Sequence, residues 1–426
     1  MIGLLKRPVS FIFSLFSIST LLVIARFKKG KGTKVIFGTT PILSNKYWSQ
    51  ALNEMGVESE TFMVNFFNSI NKADDYDKYF DDVIPGFLAR KYIKDLVRPF
   101  FVWFYILSNA KVFVMPFHGV IYDRFFWKFE YLMFKLSGIK TVVLPYGADA
   151  YMYSRIKDVS LQNALLVSYP EAARNEKYIE EKVFFWSKRA DVTFAGFMGC
   201  DGMPRWDIPI AQMFNISISE WKQKINYSSC DGLDGVVRVL HSPNHRGFKG
   251  TEYLVKAVDE LKSEGLQVEL VLLEGVPNTR VRELMQEVDI LAEQFIFTGY
   301  ALSGIEGMAS GLPVLANLDN SAYTSVFRRY SFLDECPILS TTPETLKENL
   351  RFLIRSPAIR EQLGGLGRRY AEKYHSNDTM KYLFLHIFKR LDGEEVDLMN
   401  LFHPLKSDYV KRSYIRTPLV NNRYVK

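Results

Sequence analysis

The stretch VVRVLHSPNHRGFKGTEYLVKA, residues 236–257, changes within a few positions from a strand-like to a helix-like pattern. Its first residues are apolar and β-branched, as in a buried strand, and a polar loop with two glycines follows. Leu254, Ala257 and Val258 then recur at helical spacing, and Leu261 continues the same stripe. The stretch therefore predicts a strand, a loop and a helix that packs on a sheet.

The same alternation of short apolar runs and amphipathic segments extends in both directions along the chain. KVIFG, KVFVMP and KTVVLP precede the stretch as strand-like runs, and QVELVLLEG and LPVLANL follow it, with helical patterns between them. This order predicts an α/β protein with mostly parallel sheets joined by crossover helices. The segment INYSSCDGLDG, residues 225–235, is rich in turn residues, and we interpret it as a linker between two halves.

The length of the chain, 426 residues, exceeds what one hydrophobic core supports. We predict two Rossmann-like domains that face a central cleft, residues 31–230 and 231–376, with ligands at the carboxyl ends of the strands. Residues 1–30 form a hydrophobic segment in this interpretation, and residues 377–426 form a C-terminal helix and a basic tail. The last thirty residues are polar and basic, and we expect them to be weakly structured.

Two cations lie in the glycine-containing loop after the predicted strand. Arg246 and Lys249 are three residues apart, where the loop opens a helix. A guanidinium and an ammonium at such a position can bind a diphosphate, and the helix N-terminus adds backbone N–H donors. The alternative interpretation is a solvated basic loop without a ligand.

A second stretch, GYALSGIEGMASGLPVLANL at residues 299–318, contains a turn into a short helix. Gly299 and Gly304 flank that turn, and N–H groups at such a helix start can hold phosphate oxygens. Glu306, one turn further, can accept both hydroxyls of a ribose. Ser303 and Glu306 also have the spacing of a capping box, in which Glu306 only stabilises the helix start.

Together, the two stretches resemble the C-terminal domain of retaining GT-B glycosyltransferases of family 4. The resemblance covers residues 236–318 and includes the runs LEG and VDILAEQ. It implies a GT-B fold with the active site between two domains, a donor diphosphate bound by Arg246 and Lys249, and a ribose bound by Glu306. The donor-binding candidates on the second stretch are Gly299, Tyr300, Ser303, Gly304 and Glu306.

One position departs from the family pattern. The family commonly carries Glu-x7-Glu, and its first Glu contacts the donor sugar, but this chain has Thr298 at that position. Glu293 is close in sequence but out of register. The resemblance therefore implies altered recognition of the donor sugar.

The N-terminal half resembles the family more loosely. Gly38 belongs to a strand–loop–helix segment that is expected to line the cleft and the donor site. His118 follows a strand end, where family members often have a histidine close to the donor sugar, and Asp149 ends a Gly-x-Asp motif. We take His118 and Asp149, with Arg246 and Lys249, as catalytic candidates. The alternatives are a loop histidine bonded to backbone and an aspartate that caps a turn or helix.

Charge and composition limit the partners. The net charge of +7 and the pI of about 9.0 fit phosphate-bearing substrates or acidic lipids, and equally a mildly basic soluble protein. Three scattered cysteines argue against a disulfide framework and for a reducing compartment. The motif Asp75-Tyr76-Asp77 lies in a charged stretch that we interpret as a solvated turn. We expect no metal, no further cofactor beside the donor substrate, and no nucleic-acid partner.

The N-terminus combines apolar and basic segments. Lys6 and Arg7 precede an uncharged run at residues 8–25, and a second basic stretch follows. This run can span a membrane once with its basic side in the cytoplasm, lie in an acidic membrane surface, or pack as a buried helix. A cleaved signal peptide is disfavoured because no small-residue cleavage site follows. We expect the enzyme body on the cytoplasmic side of the membrane.

These features predict a nucleotide-sugar-dependent glycosyltransferase with a saccharide or lipid-linked saccharide acceptor, in surface polysaccharide or glycoconjugate synthesis. Another GT-B enzyme, such as an inverting transferase or a sugar-nucleotide epimerase, is an alternative that analysis of the product anomer separates. A non-catalytic nucleotide-sugar-binding subunit is a third interpretation, which donor hydrolysis or transfer would exclude.

Overall fold

The structure is a computed structural model that describes residues 2–67, 71–123, 125–197, 200–276 and 278–419. Residues 420–426 of the predicted tail, and the side chains of Lys6 and Arg7, lie outside this description. The chain forms two compact units. The first contains Met1–Ala150, Lys177–Thr193 and Ile387–Glu394, and the second contains Tyr151–Glu176, Phe194–His386 and Glu395–Lys426.

A parallel sheet of order β3-β2-β1-β4-β5-β6-β7 is built on the N-terminal half of the chain. Its central strands are apolar on both faces, as expected for a parallel sheet covered by helices. The strands are β1 (Lys34–Thr39), β2 (Ser59–Met63), β3 (Lys78–Tyr79), β4 (Ala110–Met115), β5 (Lys140–Val143), β6 (Val192–Ala195) and β7 (Ile208–Pro209).

A second parallel sheet has the order β12-β11-β10-β8-β9. Its strands are β8 (Val237–His241), β9 (Val268–Leu272), β10 (Ile290–Gln294), β11 (Val314–Ala316) and β12 (Leu339–Ser340). The two parallel sheets confirm the predicted α/β class, and each quoted strand-like run overlaps one of these strands.

Helices connect the strands in both sheets. In chain order they are α1 (Ile2–Phe27), α2 (Leu43–Glu54), α3 (Lys91–Asn109), α4 (Trp127–Ser137), α5 (Val159–Ser168), α6 (Pro170–Arg174), α7 (Glu176–Arg189), α8 (Arg246–Lys249), α9 (Thr251–Ser263), α10 (Asn278–Leu284), α11 (Leu302–Ala309), α12 (Ser321–Tyr330), α13 (Leu346–Arg355), α14 (Pro357–Tyr374), α15 (Asn377–Leu391) and α16 (Asp408–Lys411). The predicted stripe of α9 is confirmed, because Leu254, Ala257, Val258 and Leu261 are all buried.

The C-terminal segment differs from the expectation of weak structure. Within the described residues, Leu398, Val410 and Ile415 are buried in the second unit. Lys373 of α14 donates to the Val410 carbonyl and to Glu335, and Glu335 in turn accepts from the Ile415 amide. The prediction was wrong because isolated apolar residues without helical or strand periodicity give no sign of burial.

Helix α1 contains the apolar run predicted at the N-terminus. Its segment Ser10–Phe27 is long and apolar enough to cross a membrane, by length and composition. One side of the helix packs against α3 and α4 of the first unit and buries Ile18, Leu21 and Ala25. The helix is therefore only partly buried, and it packs against the first unit.

Candidate functional site

Lys249 is the best-defined cation of the predicted donor site. It ends α8, which follows the carboxyl end of β8, and its side chain is buried. Its Nζ lies 3.1 Å from Glu293 Oε1 and 2.9 Å from Gln294 Oε1. Both partners belong to β10, so Lys249 joins the ends of two adjacent strands.

Glu293 connects Lys249 to the start of α11. Its Oε1 accepts hydrogen bonds from the Ala301 amide at 2.8 Å and from Ser303 Oγ at 3.0 Å. A Cβ on Gly304 would lie 2.6 Å from Glu293 Oε2, so only glycine fits beside this carboxylate. The other oxygen, Oε2, is buried and has no hydrogen-bond partner among the described residues. The carboxylate thus lies at the positive end of α11.

This arrangement adds Glu293 to the candidate site. The sequence placed Glu293 out of register with the family motif, yet the fold brings it to Lys249, Ser303 and Gly304. The signal in the sequence was a carboxylate in an otherwise apolar strand, ILAEQ. A charged group in a buried strand needs a partner, and that requirement points to a cation or a helix start.

Arg246 has different partners from Lys249. Its guanidinium donates to Glu252 Oε1 at 2.8 Å and to Glu274 at 3.1 Å, and the side chain is partly exposed. The hydrogen bonds with Glu252 and Glu274 raise the pKa of Arg246. The two predicted diphosphate-binding cations therefore lie close in the chain, but each is engaged by its own carboxylates.

Glu306 lies on α11, one turn into the helix, and is buried. Its Oε1 accepts from Asn278 Nδ2 at 3.2 Å, and desolvation raises its pKa to about 7. Helix α11 begins at Leu302 with Ala301 as N-cap and no side-chain cap. The capping box of Ser303 and Glu306 is therefore not formed, which removes that explanation for the glutamate.

The remaining candidates of this region are held by internal packing. Gly299 has φ +123°, and the Phe197 ring packs against it, so a side chain there would collide. The Tyr300 hydroxyl is buried and lies 2.9 Å from Tyr370 Oη and 3.0 Å from His375 Nε2. Any contact of Tyr300 with a ligand must use its backbone. Thr298, the position that departs from the family motif, is also buried.

The first unit holds His118, Asp149 and Gly38. His118 Nε2 lies 3.1 Å from Thr39 Oγ1, and part of the imidazole reaches solvent. Desolvation by the surrounding residues, followed by the Lys182 charge, lowers its pKa to about 4. Gly38 is buried in β1, and a Cβ there would lie 2.9 Å from the Phe62 carbonyl oxygen. Close packing against β2 therefore explains why a glycine occupies this position.

Asp149 joins two loops that follow strands of the first sheet. Its Oδ2 accepts from the Phe117 amide at 2.9 Å, and its Oδ1 accepts from the Tyr146 amide at 3.0 Å. Desolvation raises its pKa to about 6, against the opposing effect of these amides. These contacts agree with the alternative of a turn-capping aspartate. They also hold Phe117, the residue before His118, in place.

Acidic and metal-ligating residues do not cluster in the described ranges. No group of three or more His, Cys, Asp or Glu there can hold a metal ion. Asp75 accepts from Lys46 and from the Lys72 amide, and Asp77 accepts from the Thr61 amide. Both aspartates of the Asp-x-Asp motif therefore have local structural partners.

Comparisons with known proteins identify the fold. No protein-family model matches the chain, and no curated protein matches it. A sucrose-phosphate synthase from Thermosynechococcus elongatus is 12% identical, with 84% of this chain and 99% of that chain covered and a TM-score of 0.50. WaaG, a glycosyltransferase involved in lipopolysaccharide biosynthesis, is 13% identical over 82% and 97% of the chains, with a TM-score of 0.48. The wall teichoic acid polymerase TagF is 13% identical over 90% and 98%, with a TM-score of 0.39. The chain has the GT-B fold, which confirms the predicted architecture.

Proposed function

We propose that this chain is a glycosyltransferase that moves a sugar from a nucleoside-diphosphate sugar to a saccharide or lipid-linked saccharide acceptor. One observation carries the proposal. Lys249, the start of α11 and Glu306 converge at the carboxyl ends of β8 and β10 in a parallel sheet. Such sheets bind ligands at this edge, and the three groups suit a diphosphate and a ribose.

Sugar transfer builds negative charge on the departing diphosphate. In the proposal, Lys249 and the first amides of α11 stabilise this charge, and Arg246 provides a second cation without a bound metal. Lys249 and the Ala301 amide both contact Glu293 in the structure. A diphosphate bound at the Ala301 amide would therefore displace Glu293 from that N–H, whereas the Lys249 ammonium has a third donor beside its two hydrogen bonds.

Glu306 is proposed to bind the ribose of the donor. An ionised carboxylate can accept hydrogen bonds from two adjacent hydroxyls, and Asn278 already orients one of its oxygens. Burial beside the phosphate-binding groups gives the residue a low-dielectric environment in which such hydrogen bonds are strong. Gly299, Tyr300, Ser303 and Gly304 complete the proposed donor site.

The first unit is proposed to supply the acceptor side. His118 can take part in proton transfer or donate a hydrogen bond to the sugar. Asp149 and Gly38 support the loops around it. Retention of the anomeric configuration is part of the proposal, as is a role in surface polysaccharide or glycoconjugate synthesis.

A turnover assay tests the proposal. Purified full-length protein is incubated with single nucleoside-diphosphate sugars, with and without saccharide or lipid-linked acceptors, and release of nucleoside diphosphate is measured. We expect acceptor-dependent release with at least one donor and a product with the same anomeric configuration as the donor. Interconversion of sugar nucleotides without release would support an epimerase instead, and donor binding without any conversion would support a non-catalytic subunit.

A further inference from the structure

The outward side of α1 carries mostly apolar side chains. The buried positions Ser17, Leu21 and Ala25 follow one stripe of the helix, and the opposite stripe faces solvent. The large side chains on that exposed stripe are Phe11, Ile12, Leu15, Phe16, Val23 and Phe27. From Phe11 to Phe27 the stripe is about 24 Å long at 1.5 Å per residue. Monomeric soluble proteins rarely expose an apolar surface of this size.

Two neighbouring aromatic side chains extend this surface, which we call the α1 face. Phe125, itself exposed, contacts Phe11 with ring centroids 6.5 Å apart. At the other end, the half-exposed Phe104 of α3 lies under the Lys28 ammonium, 5.7 Å from its Nζ. The α1 face therefore belongs to the folded first unit and is not confined to a single helix.

Two hydroxyls on the α1 face are satisfied within the helix. Ser19 Oγ donates to the Leu15 carbonyl at 2.9 Å, and Thr20 Oγ1 donates to the Phe16 carbonyl at 2.9 Å. Hydroxyls bonded in this way require no water, so they can enter an apolar medium at low cost.

The charges at the end of α1 have one sign. The chain contains no Asp or Glu before Glu54, whereas four cations lie within six residues at the end of the apolar stripe: Arg26, Lys28, Lys29 and Lys31. No carboxylate forms a salt bridge with these four in the described part of the chain. An apolar stripe beside cations that no carboxylate neutralises is complementary to a bilayer that contains acidic phospholipid.

We infer that the α1 face docks the first unit on an acidic bilayer, with α1 lying in the plane of the membrane surface. A helix that crosses the bilayer would have to carry the α3 and α4 contacts with it. Those helices contain charged residues, among them Lys94, Asp95 and Lys135, which are costly in hydrocarbon. An in-plane helix keeps its inward stripe on the protein and immerses only its outward stripe.

Vesicle flotation with the full-length protein tests the inference. We expect the protein to float with vesicles of phosphatidylcholine and phosphatidylglycerol, and to bind pure phosphatidylcholine at least tenfold more weakly. The variant I12E/F16E should lose binding at least tenfold, because it places two charges on the apolar stripe. The matched control is I225E/L405E, which changes two equally exposed apolar residues of the second unit and should bind as the wild type does.

The basic residues have their own variant. Replacing Arg26, Lys29 and Lys31 by Gln should weaken binding to the acidic vesicles on the order of a hundredfold, since each cation near such a surface contributes about 1 kcal/mol. High salt should reduce wild-type binding in the same direction. Equal binding of the wild type and I12E/F16E, or no flotation of the wild type, would overturn the inference. Dimerisation that depends on Ile12 and Phe16 without flotation would instead identify a second copy as the occupant.

Protease accessibility separates the in-plane helix from a spanning helix. In membrane vesicles with the enzyme body outside, an N-terminal epitope tag should be digested by added trypsin together with the body. Protection of the tag until detergent is added would show that α1 crosses the bilayer and would contradict the inference. Donor turnover in solution is measured in parallel, so that failure of membrane docking is distinguished from failure of the proposed function.

Discussion

Lys249 and Glu293 form a pair in which both side chains are almost fully buried. The pair costs desolvation of two charges, and the extra bonds from the Ala301 amide and Ser303 to Glu293 offset part of that cost. Removal of Lys249 alone therefore disturbs both the fold and the proposed diphosphate site. A test of catalysis at this position needs a second substitution that restores the balance of charge.

The first prediction uses the double variant as the control. Lys249→Met leaves the Glu293 carboxylate buried without its cation, and we expect a loss of about 3–5 kcal/mol in the free energy of unfolding. Lys249→Met combined with Glu293→Gln should recover most of that stability. Turnover should stay at least about ten- to a hundredfold below wild type in both, since the charge-stabilising contact is lost. Urea unfolding and nucleoside diphosphate release measure the two effects, and near-wild-type turnover in the folded double variant would contradict the role of Lys249.

The second prediction follows from the raised pKa of Glu306. Its pKa of about 7 lies above the ordinary 4.5, so the folded state binds the extra proton between these values. Relative to Glu306→Gln, the wild type should therefore lose stability as pH rises from about 4.5 to about 7, by up to about 3 kcal/mol. Glu283→Gln, which changes an exposed carboxylate of α10, should stay within about 0.5 kcal/mol of wild type at both ends.

Donor binding should show the opposite trend with pH. The proposed contact with the ribose uses the ionised form of Glu306, so the donor should bind more tightly at pH 8 than at pH 6. The Glu306→Gln variant should bind weakly at both values. Titration calorimetry at the two pH values measures this difference, and equal pH dependence in wild type and variant would remove Glu306 from the donor site.

The sequence predicted part of this site and missed another part for a physical reason. Lys249 and Glu306 could be proposed from the sequence because loop and helix-start residues follow local rules of spacing. Glu293 was found only in the structure, because its partners are 44 residues away at Lys249 and 10 residues away at Ser303. Local pattern also could not show that Tyr300 points into the core, since an aromatic residue after a glycine fits a ligand or a packing role equally well.

At the scale of elements, Glu130 of α4 holds the loop that carries His118. Its carboxylate is buried and accepts from three successive backbone amides, those of Val120, Ile121 and Tyr122, at 2.8–2.9 Å. Desolvation raises the pKa of Glu130, and the three amides act against that shift. The Glu130 side chain thus accepts hydrogen bonds from three successive amides of this loop. These bonds fix the backbone next to the proposed acceptor side.

The third prediction concerns this loop. Glu130→Ala leaves three buried amides without their acceptor, and we expect a loss of at least about 3 kcal/mol in the free energy of unfolding. Turnover of the protein that remains folded should also fall, because the loop no longer holds His118 in position. The matched control is Glu181→Ala, which removes an exposed carboxylate paired with Lys128 and should cost less than about 1 kcal/mol. Unchanged stability in Glu130→Ala would contradict the structural role of this carboxylate.

The strands could be predicted from the sequence, whereas the structure of the segment after α15 could not. Strands such as β1 and β4 contain continuous apolar runs with clear boundaries, so their positions follow from the sequence. The segment after α15 has apolar residues at irregular intervals, and its burial depends on long-range contacts with Glu335 and Lys373. Periodicity carries no information about such contacts, so the tail was assigned weak structure.

At the scale of the whole molecule, the GT-B fold is shown by the structure, and the donor is a proposal. In the sheet order β12-β11-β10-β8-β9, the strands β8 and β10 are neighbours. Lys249 follows the end of β8 and α11 follows the end of β10, at the edge of the sheet where a nucleotide sugar is expected.

Thermal unfolding with and without nucleoside-diphosphate sugars tests the central claim most directly. A donor at 100 times its Kd adds about 2.7 kcal/mol, which should raise the Tm by about 5 °C or more. We predict such a rise in the wild type with at least one donor of a broad set, and none in the variant with Lys249→Met and Glu293→Gln. No rise with any donor, or an equal rise in that variant, would contradict a nucleotide-sugar site at Lys249 and the start of α11.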